Sequence, residues 1–212
     1  MTGGVWGLLV AAGDGGRFGG RKQFAEVHGV TLADRVVRRL RTVCDGIVVV
    51  LPSGVVWEGD RVDEVVAGGR TRAASVRAGL QSVPATAEIV VVHDPAHPLA
   101  PLHLFGDVVA AVRAGADAAA PGVALVEPLK RVTVEGTVTE TVPHAAIVVL
   151  QTPHAFRAAV LRSVHADEPD AVEDTELVER AGGRVVIIPG DLANIHVTEP
   201  RHLDLVARLV DD

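Results

Sequence analysis

Short runs of Val, Ile and Leu alternate with amphipathic stretches, and this rhythm limits the possible folds more than any other feature of the chain. Five runs, at residues 6–11, 46–51, 89–93, 116–120 and 185–189, are apolar on consecutive positions. Strands read this way when a parallel sheet is covered on both faces. Between them, residues 32–43, 71–82, 102–114 and 156–165 have helical spacing. In the first of these, Leu32, Val36, Val37 and Leu40 form one stripe while Arg35, Arg38, Arg39 and Arg41 occupy other positions. Strand and helix in repetition predict an α/β fold with a doubly wound, mostly parallel, Rossmann-like sheet. Ligands of such sheets lie beyond the carboxyl ends of the strands.

One segment breaks the rhythm. Residues 131–142 alternate β-branched and polar side chains about Glu135-Gly136, a turn pair, and predict a β-hairpin. Such a hairpin is either an arm that packs on another subunit or an ordinary edge of the same sheet, and the pattern favours the arm. The expected organisation is a single domain over 1–212, with a β-arm at about 130–150 that serves dimerisation.

Composition excludes several classes of function. The 212 residues carry 20 Lys and Arg against 27 Asp and Glu, a net charge of −7, which disfavours general binding to nucleic acid or to an anionic membrane. An anionic ligand must therefore be held by a local cluster of cations. Cys44 is the single cysteine, which rules out an internal disulfide and fits a reducing compartment. The apolar run at 5–12 has no basic flank and is too short for a signal peptide or a span, so a cytoplasmic location is expected.

After the first run comes Ala11-Ala12-Gly13-Asp14-Gly15-Gly16-Arg17-Phe18-Gly19-Gly20-Arg21-Lys22-Gln23. A loop so rich in Gly brings backbone close to a ligand and aims successive N–H groups at phosphates, while Arg17 and Lys22 add positive charge. The dinucleotide fingerprint fails here, because Phe18 stands at its last Gly and Leu51-Pro52 replaces the ribose-binding acid. The P-loop fails too, because Arg21-Lys22-Gln23 stands where Gly-Lys-Ser/Thr is needed.

What the loop resembles is the first motif of the 2-C-methyl-D-erythritol 4-phosphate cytidylyltransferase family, which belongs to the nucleotide-diphospho-sugar transferase-like enzymes. Further motifs follow in order along most of the chain: Gly68-Gly69-x-x-Arg72-x-x-Ser75, then Val92-His93-Asp94-x-Ala96-x-Pro98, then Leu129-Lys130-Arg131. After the arm come Gln151-Thr152-Pro153-x-Ala155-Phe156 and Asn194-Ile195-x-Val197-Thr198-x-Pro200. The resemblance implies transfer of a cytidylyl group from CTP to 2-C-methyl-D-erythritol 4-phosphate, with release of pyrophosphate, in isoprenoid precursor biosynthesis, by a homodimer. It implies that Arg17 and Lys22 are catalytic and bracket the transferring phosphate. Nucleotide contacts would come from Ala11, Ala12, Gly13, Gly15, Gly16, Gly68, Gly69, Arg72 and Ser75. Asp94 would hold Mg²⁺, and the acceptor side would comprise His97, Lys130, His144, Thr152 and His196.

The chain departs from the family pattern on the acceptor side. His97, His144 and His196 stand where the family carries Arg, Arg and Lys, the second of these reaching across the dimer to the acceptor phosphate. Pro128 and Val172 stand where it carries Thr. Three permanent cations have become imidazoles, and Arg also loses its two-pronged fork. Three readings stand at this point. The imidazoles bind phosphate when protonated, which makes acceptor affinity weaken as pH rises from about 6 to 8. The acceptor is a different phosphopolyol or a phosphonate. Or the chain is a weak or non-catalytic CTP-binding paralogue. The nine His show no tight ligand spacing for a transition metal.

Overall fold

The computed structural model describes residues 4–16, 18–167 and 169–210. The first strand, β1 (Gly4–Val10), enters the glycine-rich loop, which ends in a 3₁₀ turn at Lys22–Phe24. The small ladder of β2 (Glu26–Val27) and β3 (Val30–Thr31) leads into α1 (Leu32–Leu40). Next come β4 (Gly46–Leu51), β5 (Glu64–Ala67), α2 (Arg72–Leu80), β6 (Ala87–His93) and α3 (Leu102–Arg113). The second half holds β7 (Ala118–Ala124), β8 (Leu129–Val132), β9 (Val138–Val142), β10 (Val148–Leu150) and β11 (His154–Arg157). It closes with α4 (Ala158–Val164), α5 (Asp174–Arg180), β12 (Val185–Pro189) and α6 (His202–Leu209).

Eight strands form one sheet in the order β10-β7-β11-β6-β1-β4-β5, with β12 also pairing with β7. The β6-β1-β4-β5 half is parallel throughout, and β12 runs parallel to β7. The antiparallel members are β10 and β11. Helices α1 and α3 cover one face, where Val36, Leu40, Phe105 and Val108 pack on Leu9, Val49 and Val91. Helices α2, α4 and α5 cover the other, where Val76, Leu80, Leu161 and Val178 pack on Leu8, Val50 and Val90. Both faces of β1, β4 and β6 are thus buried, which explains why their sequences are apolar without alternation.

Several boundaries shift by a few residues from the sequence reading, as in β7, expected at 116–120 and found at Ala118–Ala124, and two shifts bear on the site. Residues 156–165 are expected to be helical, but Phe156 and Arg157 belong to β11, which fills the gap between β6 and β7, and the helix starts at Ala158. Pairing on both edges outweighs the helical spacing of Phe156 with Val160. The hairpin expected at 131–142 is present as β8 and β9, extended to Leu129, with its turn at Thr133–Thr137 and Gly136 at φ +85°. It forms its own two-stranded ladder, separate from the main sheet.

Candidate active site

A cleft of about 770 Å³ lies at the carboxyl ends of β1 and β6, between the glycine-rich loop and the start of α2 on one side and residues 150–154 and 172–173 on the other. The loop is tied at its root. Ala11 N donates to Val50 O at 2.9 Å, and Gln23 Nε2 donates to Ala11 O at 2.9 Å and to Gly13 O at 3.1 Å. The loop then folds back on itself, with Gly15 O accepting from Phe18 N and Gly19 N. Gly15 sits at φ +71°, and a Cβ there would lie 1.7 Å from Gly20 O, so only glycine fits. Ala11, Ala12, Gly13 and Gly15 all line the cleft.

Lys22 lines it as well, from the 3₁₀ turn, with Nζ donating to Val197 O at 3.1 Å. Arg17, the other expected catalytic cation, lies outside the described residues. Gly69, Arg72 and Ser75 also border the cleft. The Ser75 hydroxyl is engaged by backbone: it donates to Thr71 O at 3.0 Å and accepts from Gly69 N at 3.2 Å, which pins the Gly68-Gly69 turn to α2.

Asp94, just past the end of β6, faces the cleft and accepts from Arg72 Nη2 at 3.5 Å. The other arm of the guanidinium, Nη1, donates to Asp174. Asp174 is 1% exposed, and its second oxygen meets His165 Nε2 at 3.0 Å. Burial works against the charge on both carboxylates. At Asp94 the Arg72 charge together with the His93, His97 and His154 rings outweighs it, and at Asp174 the hydrogen bonds and charges of His165 and Arg72 together do so, so both carboxyls are held below the usual range.

The acceptor side gathers His97, Thr152 and His196 around the same cleft, together with Val172. The rings of His97 and His196 stack with centroids 4.7 Å apart and planes at 20°. His97 Nδ1 lies 3.3 Å from Asn194 O and 3.2 Å from Asn194 Oδ1. Burial lowers the proton affinity of His97 and His154, and it pushes the wholly enclosed His93 down to about 3.

Four expected site residues do not reach the cleft. Gly16 turns its N–H to Asp14 Oδ1 at 3.2 Å. Gly68 is a packing glycine, where a Cβ would meet that of Ala12 at 2.4 Å. Lys130 sits on the hairpin and donates to Thr141 Oγ1 at 2.6 Å, its partner across the ladder. His144 lies in the segment returning from that hairpin, which forms a ladder apart from the main sheet. Conversely, Glu173 and His154 border the cleft, Asp174 and His165 stand enclosed behind Arg72, and none of the four was assigned a role from sequence. The acidic pair Glu173-Asp174 is a helix-start signal, and Glu173 does cap α5 through Thr175 N and Glu176 N.

Residues 5–211 match the family described as IspD: 2-C-methyl-D-erythritol 4-phosphate cytidylyltransferase. The chain belongs to that family. A 2-C-methyl-D-erythritol 4-phosphate cytidylyltransferase of Nocardia farcinica is 37% identical over 219 residues, covering 99% of this chain and 95% of the relative. One from Rhodococcus opacus is 39% identical over 214 residues, covering 97% and 94%. The crystal structure of the Thermus thermophilus 2-C-methyl-D-erythritol 4-phosphate cytidylyltransferase superposes with a TM-score of 0.83 at 30% identity, covering 99% of this chain and 98% of that one.

Proposed function

We propose that this member of the family transfers the cytidylyl group of CTP to 2-C-methyl-D-erythritol 4-phosphate, in isoprenoid precursor biosynthesis. A phosphate oxygen of the acceptor attacks the α-phosphorus of CTP, the bond from that phosphorus to the bridging oxygen breaks, and pyrophosphate leaves. The nucleophile is already anionic, so no general base is needed; the work is alignment of two phosphates and neutralisation of the charge that builds between them. One observation carries the reading: the glycine-rich loop, Lys22 and Asp94 converge on one cleft at the strand ends. Lys22 supplies fixed charge to the transferring phosphate, Arg17 is assigned the same role from sequence, and the N–H groups of residues 12–15 approach the triphosphate.

Mg²⁺ fits the residues present. Asp94 is an ionised hard oxygen donor at the strand end, its side chain 26% exposed toward the cleft. No group of three metal-binding side chains occurs among the described residues, so Asp94 would hold the ion together with nucleotide phosphates and water. The ion, when bound, would neutralise charge on the phosphates. We assign the hairpin to a homodimer contact, which would carry His144 and Lys130 toward a partner's cleft, and the whole chain to one nucleotidyltransferase domain. A cytoplasmic location belongs to the same reading; no described helix is long and apolar enough to cross a membrane.

A second reading, a cytidylyltransferase for a different phosphopolyol or a phosphonate, is favoured by Val172 and by the buried His97 at the acceptor end. Pyrophosphate release with CTP, Mg²⁺ and a panel of phosphopolyols separates the two. The first predicts that methylerythritol phosphate gives the highest kcat/KM. A higher value with another acceptor supports the second, and no turnover on any acceptor leaves a non-catalytic CTP-binding protein. Lys22→Ala is expected to lower kcat by roughly two orders of magnitude or more, the cost of removing one preorganised charge contact, with the melting temperature held. Unchanged pyrophosphate release in that variant removes Lys22 from the mechanism.

A further inference from the structure

We infer that Asp174 and His165, enclosed behind the cleft, are positioning residues: they hold the Arg72 guanidinium back from Asp94, so that this carboxylate keeps an oxygen and a negative charge for the divalent cation. The inference rests on the assignment of Asp94 to Mg²⁺ above and deepens it.

Four elements meet in this group. Arg72 opens α2, Asp94 follows β6, Asp174 opens α5 and His165 caps the end of α4. The guanidinium divides its two Nη atoms, with Nη1 donating to Asp174 Oδ2 and Nη2 to Asp94 Oδ2. Asp174 Oδ1 faces His165 Nε2 at 3.0 Å. An ionised carboxylate only accepts, so Nε2 carries the hydrogen. Both oxygens of Asp174 are thereby engaged, and the bond to His165 fixes which of them turns toward Arg72. Asp94 differs. Its Oδ1 has no hydrogen-bond partner among the described residues, and its side chain is 26% exposed against 1% for Asp174.

Within this group one guanidinium lies between two carboxylates, and one negative charge is left over. Asp174 is sealed from the cleft, so the surplus is presented at Asp94, which lines it. With Asp174 neutral, both Nη atoms are free to close on Asp94 in the two-pronged geometry that guanidinium and carboxylate favour. That pair carries no net charge, and a cation must then displace an arginine to reach the carboxylate. Stability alone does not account for the arrangement, because packed apolar residues of similar size often match or better a buried ion pair. A carboxylate and an imidazole behind an arginine make physical sense where that arginine has to be kept in place beside a second carboxylate with another task. Groups that orient a metal ligand from behind in this way typically change metal affinity by about ten- to a hundredfold when removed.

The test is the Kd of CTP by titration calorimetry, once with Mg²⁺ and once with EDTA, and the ratio of the two is the gain due to the ion. Wild type should show a gain that Asp94→Asn loses. Asp174→Asn is expected to cut the gain about ten- to a hundredfold, with no rise in the Kd measured in EDTA. Adding Arg72→Gln to Asp174→Asn removes the guanidinium that closes on Asp94, so the double variant should recover most of the gain, even where both of its Kd values rise through the lost nucleotide contact. General damage to the fold would not be repaired by a second substitution. Should Asp174→Asn fail to fold, His165→Leu carries the test: it should lose the gain, and His165→Gln, which keeps a donor, should retain it. A full gain in Asp174→Asn, a rise of both constants by one factor, or no recovery in the double variant overturns the inference and leaves the proposed function standing, since that is read separately by pyrophosphate release. A full gain in Asp94→Asn, or none in the wild type, removes Mg²⁺ from Asp94 and the inference with it.

Discussion

Arg72 is one cation between two carboxylates, the enclosed Asp174 and the partly exposed Asp94. Asp174 is in turn backed by His165. Removing one partner of a buried pair strands the other, at a cost of about 3–5 kcal/mol. Asp174→Asn is therefore expected to lose roughly that much stability at pH 7, read by urea unfolding. The pH dependence has a definite sign. The folded carboxyl titrates below its unfolded value of about 4, so its contribution is fully present above that pH and disappears as pH falls through the folded value. The gap between wild type and variant should narrow below about pH 4; a gap that stays constant down to about pH 2 means the loss is one of shape rather than charge. None of this was legible in the sequence, because Asp174 lies 102 residues from Arg72 and only the fold joins them. Lys22 and Asp94 were legible, because each sits next to a strand end or a glycine loop whose local chemistry can be read without knowing the fold.

At the scale of elements, legibility follows an unbroken apolar run or a clean alternation. The runs at β1, β4, β6 and β12 are read directly because they are consecutive and apolar. The missed strands are short or exposed: β5 is mostly exposed, β10 has three residues, and β11 has four and is held in place by neighbours on both edges. Their pairing is dictated by the sheet and not by their own composition. The hairpin is the opposite case, visible in sequence because it alternates. Val132 and Val138 pair across it and stand 54% and 56% exposed, with Val134 fully exposed at the turn. A two-stranded ribbon is marginal alone in water, so this apolar pair calls for a second surface. Val132→Asp combined with Val138→Asp is expected to turn the proposed dimer into a monomer by sedimentation velocity, with the circular dichroism of the body unchanged. If the sedimentation coefficient of the variant equals that of the wild type, the hairpin is not the contact.

At the scale of the whole molecule, a body of net charge −7 is assigned two anionic substrates, so attraction must come from the local field of one cleft. That cleft is built where the packed sheet gives way to loop. The central strands are buried on both faces, whereas the glycine-rich loop is tied mainly at its ends and the hairpin stands apart from the main sheet. Opening free energies should follow the same order, highest at the sheet centre and lowest at the hairpin turn. Amide hydrogen exchange is expected to be slowest at residues 5–10, 47–51 and 89–93 and fastest at 133–137. Adding CTP with Mg²⁺ should slow exchange at 12–16 and 69–72, where backbone meets the nucleotide, and leave 133–137 as fast as before. Protection that appears at the hairpin but not at the loop would mean that the nucleotide binds away from the cleft, and the assignment of Lys22 and Asp94 would fall with it.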